Sequence, residues 1–202
     1  MRRRITSGSI VVIVIALIGF ALAGRGGWIF VKARFAQVLL ERSWQQSLRG
    51  VRDARPWPWA DTWPIARLRI PGRNVNFIVL SGASGRTMAF GPGHIDGTAM
   101  PGESGNCVIS GHRDTQFRML KDLATGDRLE LQSSDGVIGT YHVIETRVVN
   151  KSHIELLRQS GPSRITLITC YPFDALVPGG PLRYVVVALK EGEAEGRRIA
   201  RR

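Results

Sequence analysis

The chain predicts an all-β domain, and three observations carry that expectation. Beyond Pro64 it reads as seven short apolar runs rich in Val, Ile and Leu. Clusters bearing Gly and Pro separate these runs, and helical patterning there shrinks to two short pieces. Short strands spaced by turn signals belong to a closed barrel or a sandwich.

The elements follow in chain order. Ile5 to Gly24 carries no charge, is apolar from Ile10 to Ala23, and lies between Arg2-Arg3-Arg4 and Arg25. That length crosses a bilayer. The basic triplet places the N-terminus in the cytoplasm and the domain outside, while Ala21-Leu22-Ala23 also fits a signal-peptide cleavage site. Either outcome exports the domain. From Trp28 to Leu48, aromatic and aliphatic residues alternate with basic and Gln residues, as in an amphipathic juxtamembrane helix. Arg55-Pro56-Trp57-Pro58-Trp59 ends it. Those tryptophans are expected to cover one end of the domain.

The strands are expected at 66–70, 75–80, 106–111, 127–132, 139–149, 165–170 and 183–189, with short helices at 116–123 and 152–159. Ser152 with Glu155 would cap the second helix. The tail 191–202 alternates in charge and is expected to be disordered.

Charge excludes one class of function. The net charge of +12 divides unevenly: residues 1–55 hold 10 basic and 2 acidic groups, residues 56–190 hold 14 and 11, and the tail 4 and 3. Basicity concentrated beside a membrane segment meets anionic head groups, whereas nucleic-acid binding needs it on a domain face. No nucleic-acid partner is expected.

Chemistry-bearing residues stand at strand ends. Cys170 closes Arg164-Ile165-Thr166-Leu167-Ile168-Thr169-Cys170, His112 follows Val108-Ile109-Ser110-Gly111, and Arg183 opens the last apolar run. A thiol needs a base for its proton, an acid for the leaving group and a donor for the developing oxyanion. His112 can serve as acid and base, and Arg183 as the donor that also favours thiolate. If the last two strands pair, Arg183 approaches Cys170 across the 12-residue connection 171–182. Cys107 sits five residues before His112, roughly 17 Å from that end by the strand rise, so a disulfide to Cys170 is not expected. Cys107 reads as a small buried apolar residue and Cys170 as a free thiol.

Gly111-His112-Arg113-Asp114-Thr115, Thr166-Leu167-Ile168-Thr169-Cys170-Tyr171-Pro172-Phe173 and Leu182-Arg183-Tyr184 resemble, in this order, the histidine, T-L-x-T-C and arginine motifs of the sortase family. Gly91-Pro92-Gly93-His94 and Pro101-Gly102-Glu103-Ser104-Gly105-Asn106 resemble in particular the proteobacterial, Gram-negative type. The resemblance implies an eight-stranded closed β-barrel and a membrane-bound cysteine transpeptidase. Such an enzyme cuts a Leu-Pro-x-Thr-Gly-like C-terminal signal after Thr, holds a thioester, and transfers it to an amine. It implies Cys170 as nucleophile, His112 as general acid/base, Arg183 as oxyanion or substrate clamp, and Thr169 beside the nucleophile as a contact to the substrate backbone.

The organisation then expected is a signal-anchor over 1–24, a stalk and linker over 25–62, the catalytic barrel over 63–190 and the tail. The anchor would make a single pass of the inner membrane, with the barrel on the periplasmic side. The partners implied are an exported protein bearing the sorting signal, an amine acceptor in the envelope or on a protein, and the membrane. No cofactor or metal is expected, since no extended acidic cluster suggests calcium, and a pilus-type lid is not recognisable before Pro64.

Asp114 could orient His112 or meet substrate, although a solvent-facing carboxylate is the plainer reading. His94 competes with His112 as base, but its Gly-Pro-Gly setting suggests a turn. His142 and His153 lack zinc-spaced partners. His112-Arg113-Asp114 imitates a kinase loop in a chain too short for that fold. The alternatives to a transpeptidase are a thiol hydrolase using water and a non-catalytic envelope binding module. An L,D-transpeptidase is disfavoured because its Ser-His-Gly-Cys signature is absent.

Overall fold

The computed structural model describes residues 7–159, 161–177 and 179–192; most of the tail 191–202 lies outside them. It comprises α1 (Ser7–Leu48), β1 (Pro64–Ile70), β2 (Val75–Ser81), α2 (Gly85–Met88), β3 (Gly93–His94), β4 (Asn106–Ser110), β5 (Arg128–Ser133), β6 (Ile138–Asn150), β7 (Arg164–Tyr171) and β8 (Leu182–Lys190). Short 3-10 turns occupy Pro71–Arg73, Arg118–Asp122 and Ile154–Leu157. The strands close into a barrel of order β1-β2-β3-β4-β7-β8-β6-β5. Two pairs, β2 with β3 and β4 with β7, are parallel, and the rest are antiparallel.

The seven apolar runs are all strands, with ends shifted by a residue or two. The eighth, β3, was expected as a turn. Two residues leave no periodicity to read, and Gly91-Pro92 signals a break, yet Gly93 and His94 pair with both β2 and β4. The capping expectation at Ser152 also fails. His153 holds the cap position without a side-chain bond, and Ser152 Oγ donates to Asn150 Oδ1 at 3.0 Å.

Alternation along β7 and β8 gives the barrel its two layers. Ile165, Leu167, Val186 and Ala188 face the interior with Leu68, Ile109, Leu129 and Phe117. Ile168, Val185 and Val187 face outward with Val108, where Ile95, Val149, Leu156 and Leu157 cover them. Strands covered on both faces read as continuous apolar runs.

α1 was expected as two pieces, but no proline interrupts 7–48 and the helix runs through Gly24, Gly26 and Gly27. Isolated glycines weaken a helix without breaking it. It is long and apolar enough to cross a membrane. Gly50, at φ +88°, ends it in a Schellman motif, with Val51 N bonded to Gln46 O and Gly50 N to Ser47 O.

One compact unit ends at Val38 and a second begins at Leu39. In the second, Leu40, Ser43, Trp44 and Ser47 form a buried i, i+3, i+4 stripe. Buried Arg67 of β1 meets both Glu41 oxygens at 2.6 Å and lies over the Trp44 ring. Ser43 Oγ bonds to Ala54 O. The two linker tryptophans separate: Trp57 packs edge-on against Phe90, while Trp59 is exposed.

Candidate active site

The parallel pairing of β4 with β7 builds the site. Ser110 lies opposite Ile168, so in the same register the residue two beyond Ser110, His112, comes level with Cys170. The bridge persists past the strand end: Gly111 N donates to Ile168 O at 3.2 Å, and Thr169 Oγ1 donates to Gly111 O at 2.7 Å. On the other side of β7, Cys170 lies directly opposite Arg183 of β8. Opposed residues in an antiparallel pair share a face. Cys170 therefore occupies the middle of three neighbouring chain segments, with the histidine turn on one flank and the arginine on the other.

The histidine turn is shaped by its own backbone. His112 O accepts from Phe117 N at 2.9 Å, and its N–H reaches Gln116 Oε1 at 3.3 Å. Gln116 Nε2 donates to Met88 O at 3.1 Å, anchoring the turn to α2. Gly111 is required sterically, because a Cβ there would stand 2.9 Å from the buried Phe117 ring. The ring can seal the barrel end under the turn only if position 111 has no side chain.

Among the described residues the His112 imidazole is exposed and without a hydrogen-bond partner, and none reaches the half-buried Cys170 thiol. Arg183 Nη1 donates to Gly180 O and Leu182 O, both at 2.8 Å, so rim carbonyls hold the guanidinium. Such open spacing is usual before substrate enters; catalytic hydrogen bonds tighten in the complex.

The remaining candidates divide. Thr169 is buried, and its hydroxyl ties β7 to the histidine turn. Asp114 pairs with Arg113 Nε at 3.2 Å and is otherwise exposed. Cys107 is buried on the interior face, a free thiol like Cys170, and burial followed by the charge of Glu103 pushes it up to about 12. His94 is buried, with Nε2 at 2.9 Å from both Ala99 O and Thr98 Oγ1. The carbonyl requires Nε2 to carry the hydrogen, which leaves this nitrogen committed to structure. His142, half-buried on β6, and exposed His153 lie elsewhere.

Two contributors were not singled out from sequence. Gln116 and Arg113 brace the histidine turn, Arg113 by donating to Pro172 O and Ala175 O. A motif exposes residue types, whereas their partners lie up to 62 positions away.

Two pockets involve β7 or the chain leaving it, and neither has Cys170, His112 or Arg183 in its lining. A pocket of about 340 Å³ is lined by Arg118, Lys121, Tyr171, Pro172, Phe173 and Asp174. A second, of about 200 Å³, includes Thr166 and Arg164 of β7 with Leu156, Glu145 and Val187. Thr166 shares the outer face with Cys170, four residues away or roughly 13 Å.

The family model described as "Sortase domain" matches residues 68–191. Sortase D of Bacillus subtilis (strain 168) is 36% identical over 120 residues, which is 59% of this chain and 60% of that protein. The match therefore spans less than two thirds of this relative's length. Among solved structures, a Clostridium perfringens sortase D5 transpeptidase superposes with TM-score 0.59 and 27% identity, covering 75% of this chain and 89% of the other. Sortase C-1 from Actinomyces oris gives 0.55 and 32%, covering 63% and 74%. The closed eight-stranded barrel, its likeness to solved sortases and a family match over more than half of the sequence agree: this chain belongs to the sortase family.

Proposed function

We propose that this sortase is a membrane-anchored cysteine transpeptidase acting on an exported protein with a Leu-Pro-x-Thr-Gly-like C-terminal signal. The observation that carries the reading is the position of Cys170, level with His112 in one register and opposite Arg183 in the other. α1 supplies the anchor, with the barrel on the extracytoplasmic side.

Cys170 Sγ attacks the carbonyl carbon of the Thr residue, and its proton passes to His112. The carbonyl π pair moves to oxygen, where the Arg183 guanidinium meets the negative charge. Collapse of the intermediate breaks the C–N bond, and His112 returns the proton to the leaving amine. A thioester remains on Cys170. An acceptor amine then attacks, His112 takes its proton, an amide forms and the thiolate is released and reprotonated. The acceptor is an amine of the envelope or of a second protein. Thr169 supports the site from inside the barrel, and Asp114 acts on Arg113.

The test uses the full chain in detergent with a Leu-Pro-Ala-Thr-Gly peptide, followed by intact-mass analysis. The expected result is a thioester adduct on the wild type that disappears with Cys170→Ala, and an amide product when triglycine is added. Persistence of the adduct in Cys170→Ala overturns the assignment. Hydrolysed peptide alone, with or without triglycine, identifies a thiol hydrolase. Absence of any adduct, with Cys170 no more reactive to alkylation than Cys107, identifies a binding module.

A further inference from the structure

Arg113 follows the candidate base directly, yet it is only 6% exposed. Its guanidinium is engaged on every side. Nη1 donates to Pro172 O and Nη2 to Ala175 O, both at 2.7 Å, and Nε faces Asp114 Oδ1 at 3.2 Å. The two carbonyls belong to the chain leaving β7 immediately after Cys170, where Ala175 N closes a turn onto Pro172 O at 3.4 Å. One buried cation therefore joins the histidine turn to the nucleophile's rim.

We propose that Arg113 is a positioning residue that sets His112 against Cys170 by clamping together the two segments that carry them. The proposal rests on the roles given above to Cys170 and His112. Among the described residues neither the imidazole nor the thiol has a hydrogen bond of its own, so their separation is set by backbone. That backbone is joined from below by Thr169 Oγ1 to Gly111 O and from above by the Arg113 fork. Two carbonyls accepting from adjacent nitrogens of one planar group fix both distance and orientation, which a flexible ammonium does not reproduce. Asp114 completes the device by bracing Nε, leaving the outer two nitrogens aimed at the rim.

The experiment measures thioester formation by the detergent-solubilised full chain with a Leu-Pro-Ala-Thr-Gly peptide, obtaining kcat and KM separately for wild type, Arg113→Lys and Arg113→Met. For Arg113→Met the expected result is a fall in kcat of about 10²-fold, the penalty of a misplaced catalytic pair, with KM unchanged. Arg113→Lys keeps the charge and fills the space, and its kcat is expected to fall roughly tenfold, the loss of one charge-assisted bond. Added methylguanidine should restore part of the rate to Arg113→Met. A folded Arg113→Lys with wild-type kcat overturns the proposal even if Arg113→Met fails to fold. A rise in KM at constant kcat also overturns it, because the rim would then merely shape the substrate site. If the wild type itself forms no thioester, the reading of Cys170 and His112 falls, and the clamp falls with it.

Discussion

Two ends of the same parallel strand pair carry the two cysteines, and the two thiols meet opposite surroundings. At the β4 start, Cys107 is sealed into the interior, and its neighbour Asn106 is fully used. Asn106 Nδ2 donates to Leu156 O, its Oδ1 accepts from Thr166 Oγ1, and its N–H shares Gln159 Oε1 with Ala99. At the far end, Cys170 stands half-exposed opposite Arg183, and among the described residues its thiol and the His112 imidazole are both uncommitted. Identical side chains thus meet different surroundings from place alone. At one end the polar groups are saturated, and at the other the candidate pair is left open among the described residues.

Alkylation tests this contrast most severely. With its thiol pushed up to about 12, Cys107 is thiolate in about one molecule in ten thousand at pH 8. Iodoacetamide should label Cys170 and leave Cys107 untouched until the chain is denatured, as peptide mass mapping would reveal. Equal labelling rates in the folded protein would erase the distinction.

Rates and stabilities should respond separately at the two ends. Arg183→Gln is expected to lower kcat/KM for thioester formation by about 10²–10³-fold while leaving the melting temperature near that of wild type. Asn106→Ala should do the reverse. Leaving Leu156 O and Thr166 Oγ1 without their partner costs about 1–3 kcal/mol, readable in urea unfolding, with kcat maintained under conditions where the chain is folded. Comparable rate losses in both variants would show that the ends are not functionally distinct.

Gly111→Ala sharpens the picture at the Cys170 end. Its Cβ would intrude on the Phe117 ring, an overpacking expected to cost about 1–3 kcal/mol and to slow thioester formation as the histidine turn shifts. A stable variant with wild-type rate would show that the turn has slack.

The smallest effect lies away from both ends. The Ala124 backbone N–H, with Arg73 alongside, holds the Asp127 carboxyl below its usual range. A depressed folded-state value gives stability that is fully present above the unfolded value and is lost as pH falls through the folded one. Asp127→Asn should therefore weaken the acid-side decline in melting temperature between about pH 5 and about pH 2, without altering labelling of either cysteine. A variant that retains the full acid-side slope would assign it to other carboxylates.

Local windows of sequence carried much of this architecture. Alternating and continuous apolar runs marked seven strands, since burial of one or both strand faces imprints on neighbouring residues. Cys170, His112 and Arg183 stood out because each sits where an apolar run meets a turn. The uncharged stretch near the N-terminus was equally plain from composition. Tertiary structure decided what no window contains: that β4 lies parallel to β7 in the register that levels His112 with Cys170, that two residues at Gly93–His94 complete the barrel, and that α1 continues unbroken to Leu48. It also turned Thr169 inward, gave Asp114 to Arg113, and buried Arg113 beneath the rim. The physical reason is common to all of these. Periodicity reports which side of a segment is apolar, but the partner of a strand edge or of a buried cation is chosen by chain returning from far along the sequence.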